Sequence, residues 1–82
     1  MTTEIYTRIK DVLASHAELN QAATSLGEDD DLFAAGMSSR ATVGVMLGLE
    51  SEFDIEFPDA MLRREVFESV RSIATALETL RS

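Results

Sequence analysis

Two adjacent serines, Ser38 and Ser39, stand behind Gly36 in the stretch AAGMSSRATVGVM, where loop composition gives way to a helical pattern. Gly36 permits a turn with positive φ. Ser38 can cap the helix that follows, which puts Ser39 in its first turn. The N–H groups at a helix start lack intrahelical partners and carry the positive end of the helix dipole. A serine there is accessible and suited to bearing a phosphate-linked group. Spacing alone leaves the plainer reading open, in which both serines serve only as caps.

Other chemistry is scarce. The chain has no cysteine, which removes disulfides, zinc–thiolate sites and protein thiol chemistry together. His16 is the one histidine, and no second histidine is present to complete a metal pair. It falls near the end of an apolar stripe and reads as a partly buried or last-turn residue, so a Ser-His-Asp site has little support and no enzyme is expected. The run EDDD at 28–31 is consecutive rather than alternating, unlike a calcium loop, and reads as a solvated acidic stretch. No metal is expected. A net charge of −8 argues against nucleic acid and favours steering toward basic partner surfaces. The apolar runs are too short to span a bilayer and MTTEIYTRIK lacks a signal-peptide core, so no membrane association and a cytoplasmic location are expected.

The elements that must position the serines are helical. Eighty-two residues make one small domain, 1–82. Residues 3–17 place Ile5, Ile9, Val12 and Leu13 on one face, with Thr3 as the expected cap. Residues 18–37 hold no period and form a long loop, anchored by Leu26, Leu32 and Phe33. Residues 39–53 put Thr42, Val45, Met46, Leu49 and Phe53 on the core side. DIEFPD alternates apolar and polar residues, and Pro58 prevents a helix through it. Asp59 is expected to cap a short helix over about 60–67. Ser69 is expected to cap the last helix, whose stripe is Val70, Ile73, Leu77 and Leu80. The sum is an all-α bundle of three main helices plus one short one.

The order Asp31-Leu32-Phe33, Gly36, Met37, Ser38-Ser39-Arg40, then Leu49-Glu50, Phe53, Ile55 and Pro58-Asp59 resembles the acyl carrier protein family, and FESVRSI resembles its entry to the final helix. The likeness covers about 26–80. It implies that Ser39 carries covalent 4′-phosphopantetheine, grafted by a phosphopantetheinyl transferase. A chain without cysteine gains a thiol from such an arm. Where the family usually has Asp-Ser-Leu, this chain has Ser38-Ser39-Arg40. That departure, in a chain this short, is similar to small freestanding bacterial carriers charged with an amino acid. In that group a stand-alone ligase, resembling the core of a class II seryl-tRNA synthetase, activates a small amino acid with ATP and transfers it to the arm as a thioester. Fatty-acyl or polyketide cargo is the alternative, and an unmodified acidic interaction module the second. A monomer is expected.

A helical wheel places Arg40, Val43, Gly44, Leu47, Gly48 and Ser51 opposite the core stripe, with no acid among them. Gly44 and Gly48 each cost about 1 kcal/mol relative to alanine inside a helix. They are read either as a tolerated weakness or as a low-relief platform for a partner beside Arg40, Val43 and Leu47. Arg40 is expected to matter more to the native partner than to arm attachment. Arg63 and Arg64 read as a solvated basic spot.

Overall fold

The computed structural model describes residues 2–19, 22 and 25–81, with side chains from residue 4 onward. The helices are α1 (Thr2–His16), α2 (Ser39–Phe53) and α3 (Val70–Arg81), and two 3-10 turns, Asp59–Met61 and Arg64–Phe67, lie between α2 and α3. Among the described residues there is no strand. Helix α1 packs on both α2 and α3, and α3 packs on the second turn.

Helix α1 forms because its apolar residues recur at helical spacing. Ile9 and Leu13 are fully buried, Val12 nearly so, and Ile5 packs against the core. The helix starts at Thr2, so Thr3 lies inside it and is not the cap. The side chain of Thr3 lies outside the described residues. After His16, buried Ala17 and then Glu18, at φ 54°, turn the chain away. Arg8 ties α1 to the end of α2 through the Glu52 carboxylate (2.9 Å) and carbonyl (2.7 Å), and lies 4.3 Å over the Phe53 ring.

Of the long loop, residues 20, 21, 23 and 24 fall outside the described set. Leu26 and Leu32 are buried anchors, and Phe33 is half-buried. The acidic run is more than a solvated stretch. Asp30 accepts from Gly27 N (2.7 Å), and Asp31 accepts from Phe33 N (2.9 Å). Asp29 and Glu28 hold Arg71, at 2.7 and 3.1 Å, and tie the loop to the first turn of α3. The hydrogen bond from Arg71 to Asp29, with the Asp29 charge, raises the guanidinium pKa above its ordinary value. Consecutive acids serve here because Glu28 and Asp29 share Arg71 while Asp30 and Asp31 accept from backbone N–H groups of the loop itself.

Helix α2 buries Ala41, Val45, Leu49 and Phe53, one residue every four. Thr42 and Met46, expected in the core, are only half-buried. The inward ridge is narrower than the periodicity predicts, because the segment after α2 leaves an opening where Thr42 and Met46 face. Asp54 ends the helix in a left-handed conformation, φ 53°. The Glu50 carboxylate accepts from Phe57 N at 2.9 Å, which steers the extended segment so that Phe57 enters the core. Phe57 meets Phe67 edge-on, with ring centres 5.3 Å apart.

The expected short helix over 60–67 is two 3-10 turns instead. The chain breaks at Leu62 and Arg63, where Arg63 is extended at φ −129°, ψ 150°. On one continuous helix the residues sharing the Met61 face would be Arg64 and Glu65. The break lets Val66 pack inward and buries Phe67. Asp59 sits in the first turn rather than at the cap, and the residue at the cap is Pro58, whose side chain makes no capping bond. Ser69 does cap α3: its Oγ accepts from Ser72 N at 3.1 Å. Val70, Ile73 and Leu77 are fully buried, with Leu80 partly so.

Candidate functional site

The residues before α2 set its two serines apart. Met37 is buried, and its N–H bonds the Leu32 carbonyl at 3.0 Å. Gly36, at φ 115°, makes the turn that points Met37 inward, a conformation that disfavours any side chain. Ser38 is then extended, at φ −83° and ψ 165°, and its Oγ accepts from Ala41 N at 3.0 Å. Its carbonyl takes the first helical bonds, from Thr42 N (3.0 Å) and Thr42 Oγ1 (2.9 Å). Ser38 is therefore the cap. Ser39 is the first helical residue and is exposed. Its hydroxyl makes no hydrogen bond to a described residue, and no histidine, lysine or carboxylate among them engages it. By helix geometry the N–H groups of Ser39 and Arg40 have no intrahelical acceptor.

Ser39, Thr42, Val43 and Met46 form one face of α2. That face borders a groove of about 430 Å³, closed on its far side by Leu62, Arg63, Arg64 and Phe67 and by Phe33 from the loop. The Arg64 guanidinium lies 4.0 Å over the Phe33 ring. Arg63 and Arg64 are exposed as expected, yet they also border the groove at Ser39. Sequence reasoning did not join them to the site, because the broken turns that bring them there carry no periodicity. The half-exposure of Thr42 and Met46 has the same cause.

The other residues singled out from the sequence divide between two environments. Val43 and Leu47 are exposed, by 54% and 55%, and Arg40 is exposed beside them. Gly44 and Gly48 face α1. A Cβ on Gly48 would lie 2.8 Å from His16 Cδ2 and 2.9 Å from Val12 Cγ1, whereas one on Gly44 would come no closer than 3.7 Å. Gly48 is thus neither a bare weakness nor open surface. It admits the His16 ring and lets α1 approach closely. His16 is an exposed last-turn residue packed on this flank of α2, away from the Ser39 groove.

Ser39 thus offers an accessible hydroxyl next to a helix start that Ser38 already caps. That arrangement on a small helical fold suits the carrier class of protein. Residues 7–77 match the family model described as "Phosphopantetheine attachment site", and the chain belongs to that family, whose members bear 4′-phosphopantetheine covalently and are carriers rather than catalysts. It is 40% identical over 72 residues to the aminoacyl carrier protein of Agrobacterium fabrum (strain C58), covering 88% of this chain and 87% of that one. A chain in the crystal structure of engineered Bradyrhizobium japonicum glycine:[carrier protein] ligase complexed with carrier protein from Agrobacterium tumefaciens and ATP superposes at a TM-score of 0.89. Its identity is 39%, over 92% of this chain and 97% of that one. A chain in the complex of the Bradyrhizobium japonicum ligase with glycylated carrier protein superposes at 0.76, with 29% identity over 89% and 97%.

The residues at Ser39 fit such a group. The hydroxyl is exposed, the N–H groups without an intrahelical acceptor and the guanidinium groups bordering the groove suit a phosphodiester, and the groove offers an apolar wall. No helix among the described residues is long and apolar enough to cross a membrane.

Proposed function

We propose that Ser39 is the residue that bears 4′-phosphopantetheine and that this chain, acting as a single carrier domain over 1–82, holds a small amino acid, glycine first among them. The arm supplies the thiol on which the aminoacyl group is held as a thioester. The chain's own part is to display the hydroxyl, keep the start of α2 rigid through Ser38, and present a face to successive enzymes. Among the described residues no cluster of side chains could hold a metal ion. A phosphopantetheinyl transferase grafts the arm. An amino acid:carrier protein ligase, resembling a class II seryl-tRNA synthetase core, loads it. The setting is cytoplasmic and the working form a monomer.

The observation that carries this reading is the division of labour between the serines: Ser38 Oγ is bonded to Ala41 N, while the neighbouring Ser39 hydroxyl is exposed and unbonded. The kinship with aminoacyl carrier proteins and the likeness to chains solved with a glycine ligase support the cargo. Co-expression with a phosphopantetheinyl transferase, followed by intact-mass measurement, tests it. The wild type gains one arm, Ser38→Ala also gains it, and Ser39→Ala does not. Incubation of the arm-bearing form with ligase, ATP and glycine then adds one glycyl group. A Ser39→Ala variant that still gains the arm refutes the assignment.

A further inference from the structure

The chain holds fifteen acidic residues against seven basic ones, yet the surface beside Ser39 has the reverse character. Residues 39–48 contain no acid and one cation, Arg40. Arg63 and Arg64 stand across the groove. Elsewhere arginines are committed within the fold: Arg8 to Glu52 at 2.9 Å and Arg71 to Asp29 at 2.7 Å. Near Ser39 the arginines stay exposed, and Arg64 packs on an apolar ring, that of Phe33, at 4.0 Å. Among the described residues Arg40 and Arg64 have no carboxylate partner, and the one carboxylate near Arg63 is Glu65 at 3.7 Å, with both side chains well exposed. The large apolar side chains left exposed among the described residues are Val43, Leu47 and Leu62, by 54%, 55% and 47%. Val43 and Leu47 lie on the outward face of α2, and Leu62 borders the groove beside Val43.

Exposed apolar side chains with exposed cations at their edge have the anatomy of a docking surface, an apolar centre with a charged rim. We propose that this face receives the enzyme that loads the arm, through an apolar contact on that enzyme rimmed by carboxylates. The proposal rests on the reading of Ser39 as the attachment site. Charge complementarity selects this occupant. A partner rimmed with acid is repelled by most of a chain of net charge −8 and attracted at Arg40 on α2 and at Arg63 and Arg64 across the groove, so the charge pattern orients the encounter. A basic partner would meet the wrong sign at the very serine it must reach.

The test uses the arm-bearing chain, the Bradyrhizobium japonicum glycine:[carrier protein] ligase and calorimetric titration at low and high salt, with arm attachment read separately by mass. The double variant Arg40→Glu/Arg63→Glu changes two exposed side chains and should keep the helical circular dichroism. It should bind about tenfold more weakly than wild type, and added salt should weaken the wild type while strengthening the variant. Leu62→Ser should also weaken binding, with the salt response kept. Lys10→Glu on α1, which reverses a charge of the same sign away from this face, should leave affinity within about twofold at high salt. Equal or tighter binding by the double variant, or no binding by arm-bearing wild type, overturns the proposal. So does a concentration-dependent dimer of the wild type that the double variant abolishes, because it assigns the face to a second copy. Failure of the wild type to gain the arm refutes instead the assignment of Ser39.

Discussion

Ser38 at the head of α2 and Ser69 at the head of α3 each accept a hydrogen bond from the backbone N–H three residues on, at 3.0 and 3.1 Å. The two starts differ in what surrounds that bond. At α3 the residue three on is Ser72, whose Oγ accepts from Ser69 N at 3.0 Å and donates to the Val66 carbonyl at 2.9 Å. Serine replaces the usual glutamate or glutamine in this reciprocal box. Both hydroxyls are consumed by folding, and both residues are half-buried. At α2 the residue three on is Ala41, which returns nothing. The second serine instead sits next door at 39, exposed and unbonded. Two serine-rich helix starts can therefore look alike in sequence and differ in function. The one fit for modification assigns capping to one residue and display to its neighbour.

The comparison can be broken by exchanging which serine is lost. The largest effect is all-or-none: Ser39→Ala should abolish arm attachment, whereas Ser72→Ala should leave it complete, both read by intact mass. On stability the order reverses. Ser69→Ala removes a cap from a half-buried box and should cost about 2 kcal/mol, the upper end for such caps. Ser38→Ala removes an exposed cap and should cost about 1 kcal/mol. Ser39→Ala should stay within about 0.5 kcal/mol of wild type, as an exposed site with no bond to lose. Urea unfolding of these three variants ranks them. A Ser39→Ala loss as large as that of Ser69→Ala would mean that the hydroxyl at 39 has a folding role after all.

Much of this fold is legible in the sequence because it rests on local rules. The apolar spacing of Ile9, Val12 and Leu13, and of Val70, Ile73 and Leu77, marks α1 and α3. Ser38 and Ser69 mark the starts of α2 and α3. What escapes depends on contacts between elements. A wheel drawn on α2 alone cannot see that Gly48 lies under His16, because nothing in either helix states where they cross. Nor can it see that Thr42 and Met46 face a groove, since the opposite wall is built by Leu62, Arg63, Arg64 and Phe67 from the broken turns. The broken turns at 59–67 answer to the burial of Phe67, a demand of the core rather than of their own periodicity. Ser39 is a middle case. Spacing puts it at a helix start, the likeness to acyl carrier proteins singles it out, and the structure adds that its hydroxyl is open.

A small predicted gain sharpens the comparison most, because it restores at position 38 the aspartate usual in the family. Aspartate caps about as well as serine, so Ser38→Asp keeps the bond to Ala41 N. It also brings a negative charge to a helix whose first turn contains no acid. The interaction with the helix dipole should stabilise the fold by about 0.3–1 kcal/mol at low ionic strength, read as a rise in urea midpoint that salt diminishes. The same change at position 69 places the new charge next to Glu68, so its gain should be smaller or absent. The charge at 38 also enters the cationic surface around Ser39. If a carboxylate-rimmed ligase docks there, Ser38→Asp should bind it a few-fold more weakly even as the fold grows more stable. A variant that gains stability and binds more tightly would mean that the partner reads this face as acidic carriers are read, with basic residues of its own.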